Sequence, residues 1–244
     1  MRCIILAGGV SKRLRPKTDT IPKTLLPVDE KIILEHILDN ARHAGMEHFD
    51  ILTGHGHEFV EEFTSRYADA NDVSIDLHFI PEYATTGNII GIPSAEHLFD
   101  DDFVWINSDT IFHTDILKKL LASPEANAMM VDDVKTLGEE EMKVLADENG
   151  YIQRIHKTLD PATAHGEYVG ILRFSKPTKD ALLAAAEKKM GEDPLVYYED
   201  AIQQMIDDYG TQIKKISTEG LPVMEIDTHE DLEAAKELIK QIRQ

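Results

Sequence analysis

The chain has 244 residues, of which 42% are apolar and 29% charged, with a formal net charge of −20. That length suits one large α/β domain or two small ones, and the acidity argues against a general nucleic-acid binder or a protein that docks on anionic membranes. The single cysteine, Cys3, excludes an internal disulfide and, at the start of an apolar strand, reads as a small buried hydrophobe. With no signal peptide and no apolar run of membrane-spanning length, a cytoplasmic protein is expected.

In chain order, residues 2–6 read as a buried strand that turns through Gly8 and Gly9 into a loop kept extended by Pro16, Pro22 and Pro27. A helix is expected over 32–43, with Ile33, Leu34, Ile37, Leu38 and Ala41 at helical spacing and Gly45 ending it. Strand 49–53, helix 58–67 and strand 75–80 follow. A polar loop over 82–91 then leads into a short helix through Ala95, and a buried strand over 103–107 ends at Ser108-Asp109. This alternation predicts a mostly parallel sheet covered by helices.

Beyond residue 115 the pattern loosens. A short helix at 115–121 and a strand at 126–131 precede a hairpin, 143–146 and 151–156, turned by Asn149-Gly150. A strand at 167–174, helices at 177–189 and 198–209, and strands at 211–217 and near 223–226 come next. The last helix begins at Thr228, a plausible N-cap with Asp231 three residues on. No repeat or linker is evident, so a single domain is expected, with a nucleotide half (1–115) and an acceptor half (116–244).

Charge singles out the first stretch. Residues 1–28 carry six Lys/Arg against one Asp on an otherwise acidic chain, and Lys12, Arg13, Arg15, Lys17 and Lys23 crowd behind the glycine turn. A cationic island of this kind implies a bound polyanion, and glycines after a strand let backbone N–H groups approach phosphate. The stretch lacks both the Gly-Lys-Ser/Thr of a P-loop and the third glycine of a dinucleotide fingerprint, which argues against a Rossmann oxidoreductase.

The run Leu6-Ala-Gly-Gly-Val-Ser-Lys-Arg-Leu-Arg-Pro16, followed by Pro22-Lys-Thr-Leu-Leu-Pro-Val28, resembles the signature of nucleotidyltransferases that activate sugar phosphates and alcohol phosphates. The resemblance continues at Asn107-Ser-Asp109, Gly166-Glu-Tyr-Val-Gly170 and Glu225-Ile-Asp-Thr228. Spacing and the 82–91 segment are most similar to phosphocholine cytidylyltransferases of the bacterial type. It implies a Rossmann-like, GT-A-like sheet with a smaller acceptor-binding subregion. It also implies transfer of a nucleotidyl group, CMP from CTP by preference, to a phosphorylated small alcohol such as phosphocholine, with release of pyrophosphate. By the same resemblance Leu6, Ala7, Gly8 and Gly9 hold the base and ribose, Lys12 and Arg13 the triphosphate, and Lys23 reaches the reacting phosphate, with Arg13 and Asp109 as its catalytic partners. Asp109 and Asp227 bind Mg²⁺, a hard cation suited to carboxylates and phosphate oxygens.

Other residues are candidates by chemistry. Thr85 and Asn88 carry groups able to read a base edge, although helix capping by Thr86 or Asn88 is the plainer use of that loop. Glu167, Tyr168, Tyr198 and Glu199 combine aromatics and carboxylates as a quaternary ammonium requires, although residues 197–200 also read as a plain helix start. Lys157 is a candidate for the acceptor phosphate. His55-Gly-His57 lacks partners at metal spacing and is expected to be solvated or hydrogen-bonded. The alternatives to the cytidylyltransferase reading are a uridylyl- or thymidylyltransferase acting on a sugar 1-phosphate, and a non-catalytic nucleotide-binding module. The chain ends soon after Asp227, so no long repeat domain is expected to drive assembly, and a monomer or homodimer is expected.

Overall fold

A computed structural model describes residues 1–242. Arg243 and Gln244, the end of the expected acceptor half, lie outside the described residues.

The strands are β1 (Arg2–Ala7), β2 (Pro27–Val28), β3 (Lys31–Ile32), β4 (His48–Thr53), β5 (Ser74–Phe79), β6 (Phe103–Asn107), β7 (Thr110–Phe112), β8 (Ala128–Asp132), β9 (Lys143–Ala146), β10 (Ile152–His156), β11 (Glu167–Phe174), β12 (Lys214–Ser217) and β13 (Val223–Glu225). The α-helices are α1 (Ile33–His43), α2 (His57–Asn71), α3 (Gly91–Ser94), α4 (Thr114–Ala122), α5 (Lys179–Glu192), α6 (Tyr198–Tyr209) and α7 (His229–Ile242).

The expected architecture holds: a central, mostly parallel sheet flanked by helices on both faces. The run β5-β4-β1-β6, all from residues 1–115, is parallel. Past β6 the strand β11 runs antiparallel and carries β8 and β9 along its length. Strands alternate their side chains between faces, and β1 divides accordingly. Cys3 and Ile5 join the core under α1, α4 and α7, whereas Ile4 joins the core under α3, α5 and α6. Cys3 is fully buried, as its position in the strand implied. The helix expected at 177–189 runs from Lys179 to Glu192 instead, and the strand expected at 211–217 is ordered as strand only from Lys214.

Two short features place the site. Strand β7 pairs antiparallel with β13, with Glu225 opposite Thr110, and the Ile226 N–H donates to the Asp109 carbonyl at 3.0 Å. Asp109 immediately precedes one strand and Asp227 stands two residues past the end of the other, so this pairing brings the two carboxylates together. The expected cap then fixes Asp227. The Thr228 hydroxyl accepts from the Asp231 N–H, and the Asp231 carboxylate accepts from the N–H groups of Asp227 and Thr228.

Gly170, with φ +71°, lets β11 pass under the end of β6; a Cβ there would lie 2.8 Å from the Asn107 side chain. A left-handed conformation and a clash act together on Gly170→Ala, which is expected to lose about 1–3 kcal/mol of stability. Calorimetric unfolding checks this, and an unchanged melting temperature would contradict it.

Candidate functional site

Lys23 lies in a short 3₁₀ turn after Pro22 and is 9% exposed. Its Nζ donates to Asp109 Oδ2 at 2.7 Å and to Asp227 Oδ1 at 3.0 Å. Arg13 reaches the other oxygen of Asp227, with its Nη2 2.7 Å from Oδ2. Burial alone disfavours the Lys23 ammonium, but the two carboxylates outweigh it and its pKa is raised. Burial likewise acts to raise the Asp227 carboxyl, yet Lys23 and Arg13 hold it below its ordinary value. The structure thus brings together four residues from distant parts of the chain, all anticipated from the sequence.

These groups line a cavity of about 200 Å³ together with Leu6, Ala7, Gly9, Asn107 and Ser108. A second cavity of about 390 Å³, lined by Gly8, Lys12, Ile80, Tyr83, Thr86 and Leu195 among others, adjoins it. The two share Leu6, Gly9, Ser11, Arg13 and Asn88, so they form one cleft at the carboxyl ends of β1 and β6, where parallel α/β sheets place their ligands. Its first compartment is charged. The second is walled by Ile80, Tyr83, Ile90 and Leu195, surfaces suited to a flat ring. Leu195 and Asp227 enter this cleft from the second half of the chain.

The fit of a hard cation is testable on the oxygens present. Asp109 Oδ1 is buried without a hydrogen-bond partner among the described residues, beside a second carboxylate that converges on the same ammonium. Among the described residues no group of three or more His, Cys, Asp and Glu could hold a metal ion. Two carboxylates leave the remaining ligand positions to phosphate oxygens and water, the usual manner of Mg²⁺. The residues fit that ion.

The remaining candidates divide. The Thr85 hydroxyl donates back to the Glu82 carbonyl and Thr85 does not line the cleft, whereas Thr86 does. Asn88 does line it, but its Oδ1 accepts from the Tyr198 N–H at 2.8 Å. Asn88 thus lines the cleft and holds the first N–H of α6, a different helix from the one its own loop leads into, where no side-chain cap is formed. Gly87 seals the same seam. Its N–H donates to the Pro194 carbonyl at 2.7 Å, and a Cβ on it would fall 2.1 Å from the Val196 carbonyl oxygen.

On the acceptor side, Tyr168 and Tyr198 are buried and their hydroxyls hydrogen-bond to each other at 2.9 Å. Tyr198 also packs on Trp105 with ring centroids 5.5 Å apart, so these two ring faces are closed to a ligand. Tyr197 is the exposed neighbour, and Lys157 Nζ sits 5.0 Å from its ring centre. The Asp200 carboxylate accepts from the Tyr197 N–H, so residues 197–200 do form a helix start. Glu167 is engaged by Lys135 at 2.8 Å, a partner the sequence pattern did not announce. Glu199 Oε2 is buried without a partner. Burial pushes the Glu199 carboxyl up to about 7. Burial also raises Glu225, which faces Asp109, Glu167, Asp227 and Glu199. His55 and His57 are hydrogen-bonded, to the Thr18 carbonyl and the Thr53 hydroxyl.

The sequence reading missed Leu195 as a cleft residue and gave no role of its own to Glu225, which lies within electrostatic reach of Asp109 and Asp227. Glu225 had a signal, since it closes β13 two residues before Asp227. Leu195 had none, because only tertiary folding brings it to the loop.

Two outcomes follow. A carboxyl whose folded pKa exceeds its unfolded value binds more protons when folded, so its contribution is present at low pH and is lost as pH rises through the folded value. Glu199→Gln is therefore expected to gain stability over the unsubstituted chain between about pH 4.5 and 7, on the order of 2–3 kcal/mol by the upper end. Parallel denaturant titrations across that range measure it, and a constant difference would contradict it. Gly87→Ala is expected to raise the KM for nucleotide by about tenfold, because the 82–91 loop must leave its seam with 194–196; an unchanged KM would contradict that coupling.

Comparison with known proteins agrees with this geometry. Residues 3–203 match the model of the MobA-like NTP transferase domain. The low-salt glycan biosynthesis nucleotidyltransferase of Haloferax volcanii is 27% identical over 216 residues, covering 85% of this chain and 58% of that protein. The choline-phosphate cytidylyltransferase of Streptococcus pneumoniae is 22% identical over 242 residues, covering 98% of this chain and 99% of that one. The chain spans about half the length of most of the curated relatives it matches. The solved inositol-1-phosphate CTP transferase from T. maritima superimposes with a TM-score of 0.83 at 20% identity, covering 100% of this chain and 96% of that one, a likeness of fold. With its family model matched over most of its length and the basic glycine loop facing two strand-end aspartates, the chain belongs to the MobA-like NTP transferase domain family.

Proposed function

We propose that the protein is a Mg²⁺-dependent nucleotidyltransferase that moves CMP from CTP to a phosphorylated small alcohol carrying a cationic group, phosphocholine or a close relative. The observation that carries the reaction class is the convergence of Lys23, Arg13, Asp109 and Asp227 on one cavity at the strand ends. An oxygen of the acceptor phosphate bonds to the α-phosphorus, the bond to the bridging oxygen breaks, and pyrophosphate leaves with that electron pair. A phosphate nucleophile needs no general base, so the work left to the protein is positioning and charge neutralisation.

Lys23 is the donor at the reacting phosphorus, held to one position by two carboxylates. Arg13 and Lys12 take the triphosphate oxygens, and the backbone of Ala7, Gly8 and Gly9 holds the nucleoside. Asp109 and Asp227 would hold Mg²⁺, which when bound supplies neutralisation of the phosphate charge. Lys157 takes the acceptor phosphate.

The cationic acceptor is supported by buried carboxyls that lack a hydrogen-bonded cation of their own among the described residues and that a cationic group would help to ionise. Lys23 and Arg13 are committed to the aspartates, and Lys135 to Glu167 and Glu141. Glu199 and Glu225 remain without a hydrogen-bonded cation among the described residues. With Tyr168 and Tyr198 closed, Tyr197 is the exposed ring of the group, and it already accepts one cation, Lys157, 5.0 Å from its centre. The second reading, a sugar 1-phosphate acceptor with UTP or dTTP, draws on relatives named for such reactions. A non-catalytic module is disfavoured because Lys12, Arg13, Lys23 and Asp109 are all present.

Pyrophosphate release, measured for each nucleoside triphosphate against phosphocholine and hexose 1-phosphates with Mg²⁺ and with chelator, tests this. Release with CTP and phosphocholine, abolished by chelator, is expected. Activity confined to a hexose 1-phosphate would overturn the acceptor and keep the reaction class. Asp109→Asn is expected to lower kcat by at least about 10²–10³-fold with the fold intact, and retained turnover would remove Asp109 from the site.

A further inference from the structure

Tyr198, the first residue of α6, touches both asparagines of the cleft. Its backbone N–H donates to Asn88 Oδ1 at 2.8 Å, and its hydroxyl donates to Asn107 Oδ1 at 3.0 Å. Neither Nδ2 has a hydrogen-bond partner among the described residues, and neither is sealed from solvent. Asn88 lines both compartments of the cleft and Asn107 lines the one that holds Lys23 and Asp109.

The orientation of each amide follows from its partner. A backbone N–H can only donate, so it must meet the oxygen of Asn88. For Asn107 the buried hydroxyl pair decides. If Tyr168 donates to Tyr198 and Tyr198 donates to Asn107, both hydroxyl protons are used. The reverse direction would leave the Tyr168 proton buried without an acceptor, which is the costlier state. Gly170 beneath Asn107 provides the room, since any Cβ there would meet Nδ2 at 2.8 Å.

We propose that Tyr198 is a positioning residue that turns the Nδ2 groups of both Asn88 and Asn107 toward the cleft, so that Asn88 donates to an oxygen of the bound nucleoside and Asn107 to a phosphate oxygen at the reacting centre. This assignment rests on the nucleotidyl-transfer reading. It gives the tyrosine a role its buried ring cannot fill by touching the acceptor. It also links the 82–91 loop and the end of β6 through one residue.

The two arms are separable, because Tyr198→Phe removes the hydroxyl and keeps the N–H. In that variant kcat/KM for the phosphorylated acceptor is expected to fall by about tenfold or more, while the KM for nucleotide changes by less than about twofold. Asn88→Ala is expected to do the opposite and raise the nucleotide KM. Asn107→Asp would put a negative oxygen where a donor belongs, so it is expected to be less active than Asn107→Ala. Tyr168→Phe keeps the Tyr198 hydroxyl on Asn107 but removes the partner that sets its direction, so a defect smaller than that of Tyr198→Phe is expected. Equal defects in Tyr198→Phe and Tyr168→Phe, or Asn107→Asp as active as Asn107→Ala, would overturn the proposal. A readout independent of turnover is the ¹⁵N side-chain amide spectrum titrated with pyrophosphate. A shift of the Asn107 NH₂ resonances that is lost in Tyr198→Phe is expected. No response at Asn107 overturns the assignment even if the transfer reading stands, whereas a response without pyrophosphate release under any substrate pair would keep the amide assignment and overturn the transfer reading.

Discussion

A lysine ammonium held between two aspartates organises the molecule. Lys23 arrives from a loop after the first strand, Asp109 from the end of β6, and Asp227 from the strand before the last helix. Removing a charge from water is costly unless close opposite charges compensate it, and here each ion compensates the others. The β7–β13 pair, the Thr228–Asp231 cap and the turn at Pro22 all serve to keep these groups within hydrogen-bond distance. The same arrangement suits exchange. When a polyanion and a divalent cation enter, the carboxylates have a metal to hold and the ammonium has phosphate oxygens to meet.

The cleft around that centre has a basic lip on an acidic molecule. Lys12 and Arg13 stand exposed at the glycine loop, while Glu225 lies within electrostatic reach of Glu167, Glu199 and both aspartates. In the proposed reaction the triphosphate would meet the basic lip and the positive group of the acceptor would meet the acidic cluster. The seam at Gly87, Asn88 and Tyr198 joins the 82–91 loop to the start of α6, which carries Glu199.

Much of this was legible in the chain because it is local. Short apolar runs in β1, β4 and β6, alternation in β5 and helical spacing in α1 and α7 place the elements to within a few residues, and the clustered cations mark the basic loop that borders the cleft. The approach of Asp109 to Asp227 was not readable from the residues themselves. It depends on β7, three residues long and too short for any periodicity, pairing with a strand more than a hundred positions away. Aromatic neighbours in sequence also misled. Tyr168 and Tyr198 read as an open cage because an exposed and a buried tyrosine look alike in sequence, whereas Trp105 closes over one of them. The Lys135–Glu167 pair crosses a loop of no regular pattern and left no trace in spacing.

The central claim is that Lys23 and Asp109 act as one unit at the reacting phosphorus. A double-mutant cycle on the rate of pyrophosphate release, with Lys23→Met, Asp109→Asn and the two together, tests it most directly. Groups that act as a unit are grossly non-additive, so the double variant is expected to be no slower than the worse single variant by more than about threefold. Losses that multiply, each substitution exacting its full effect in the presence of the other, would contradict it.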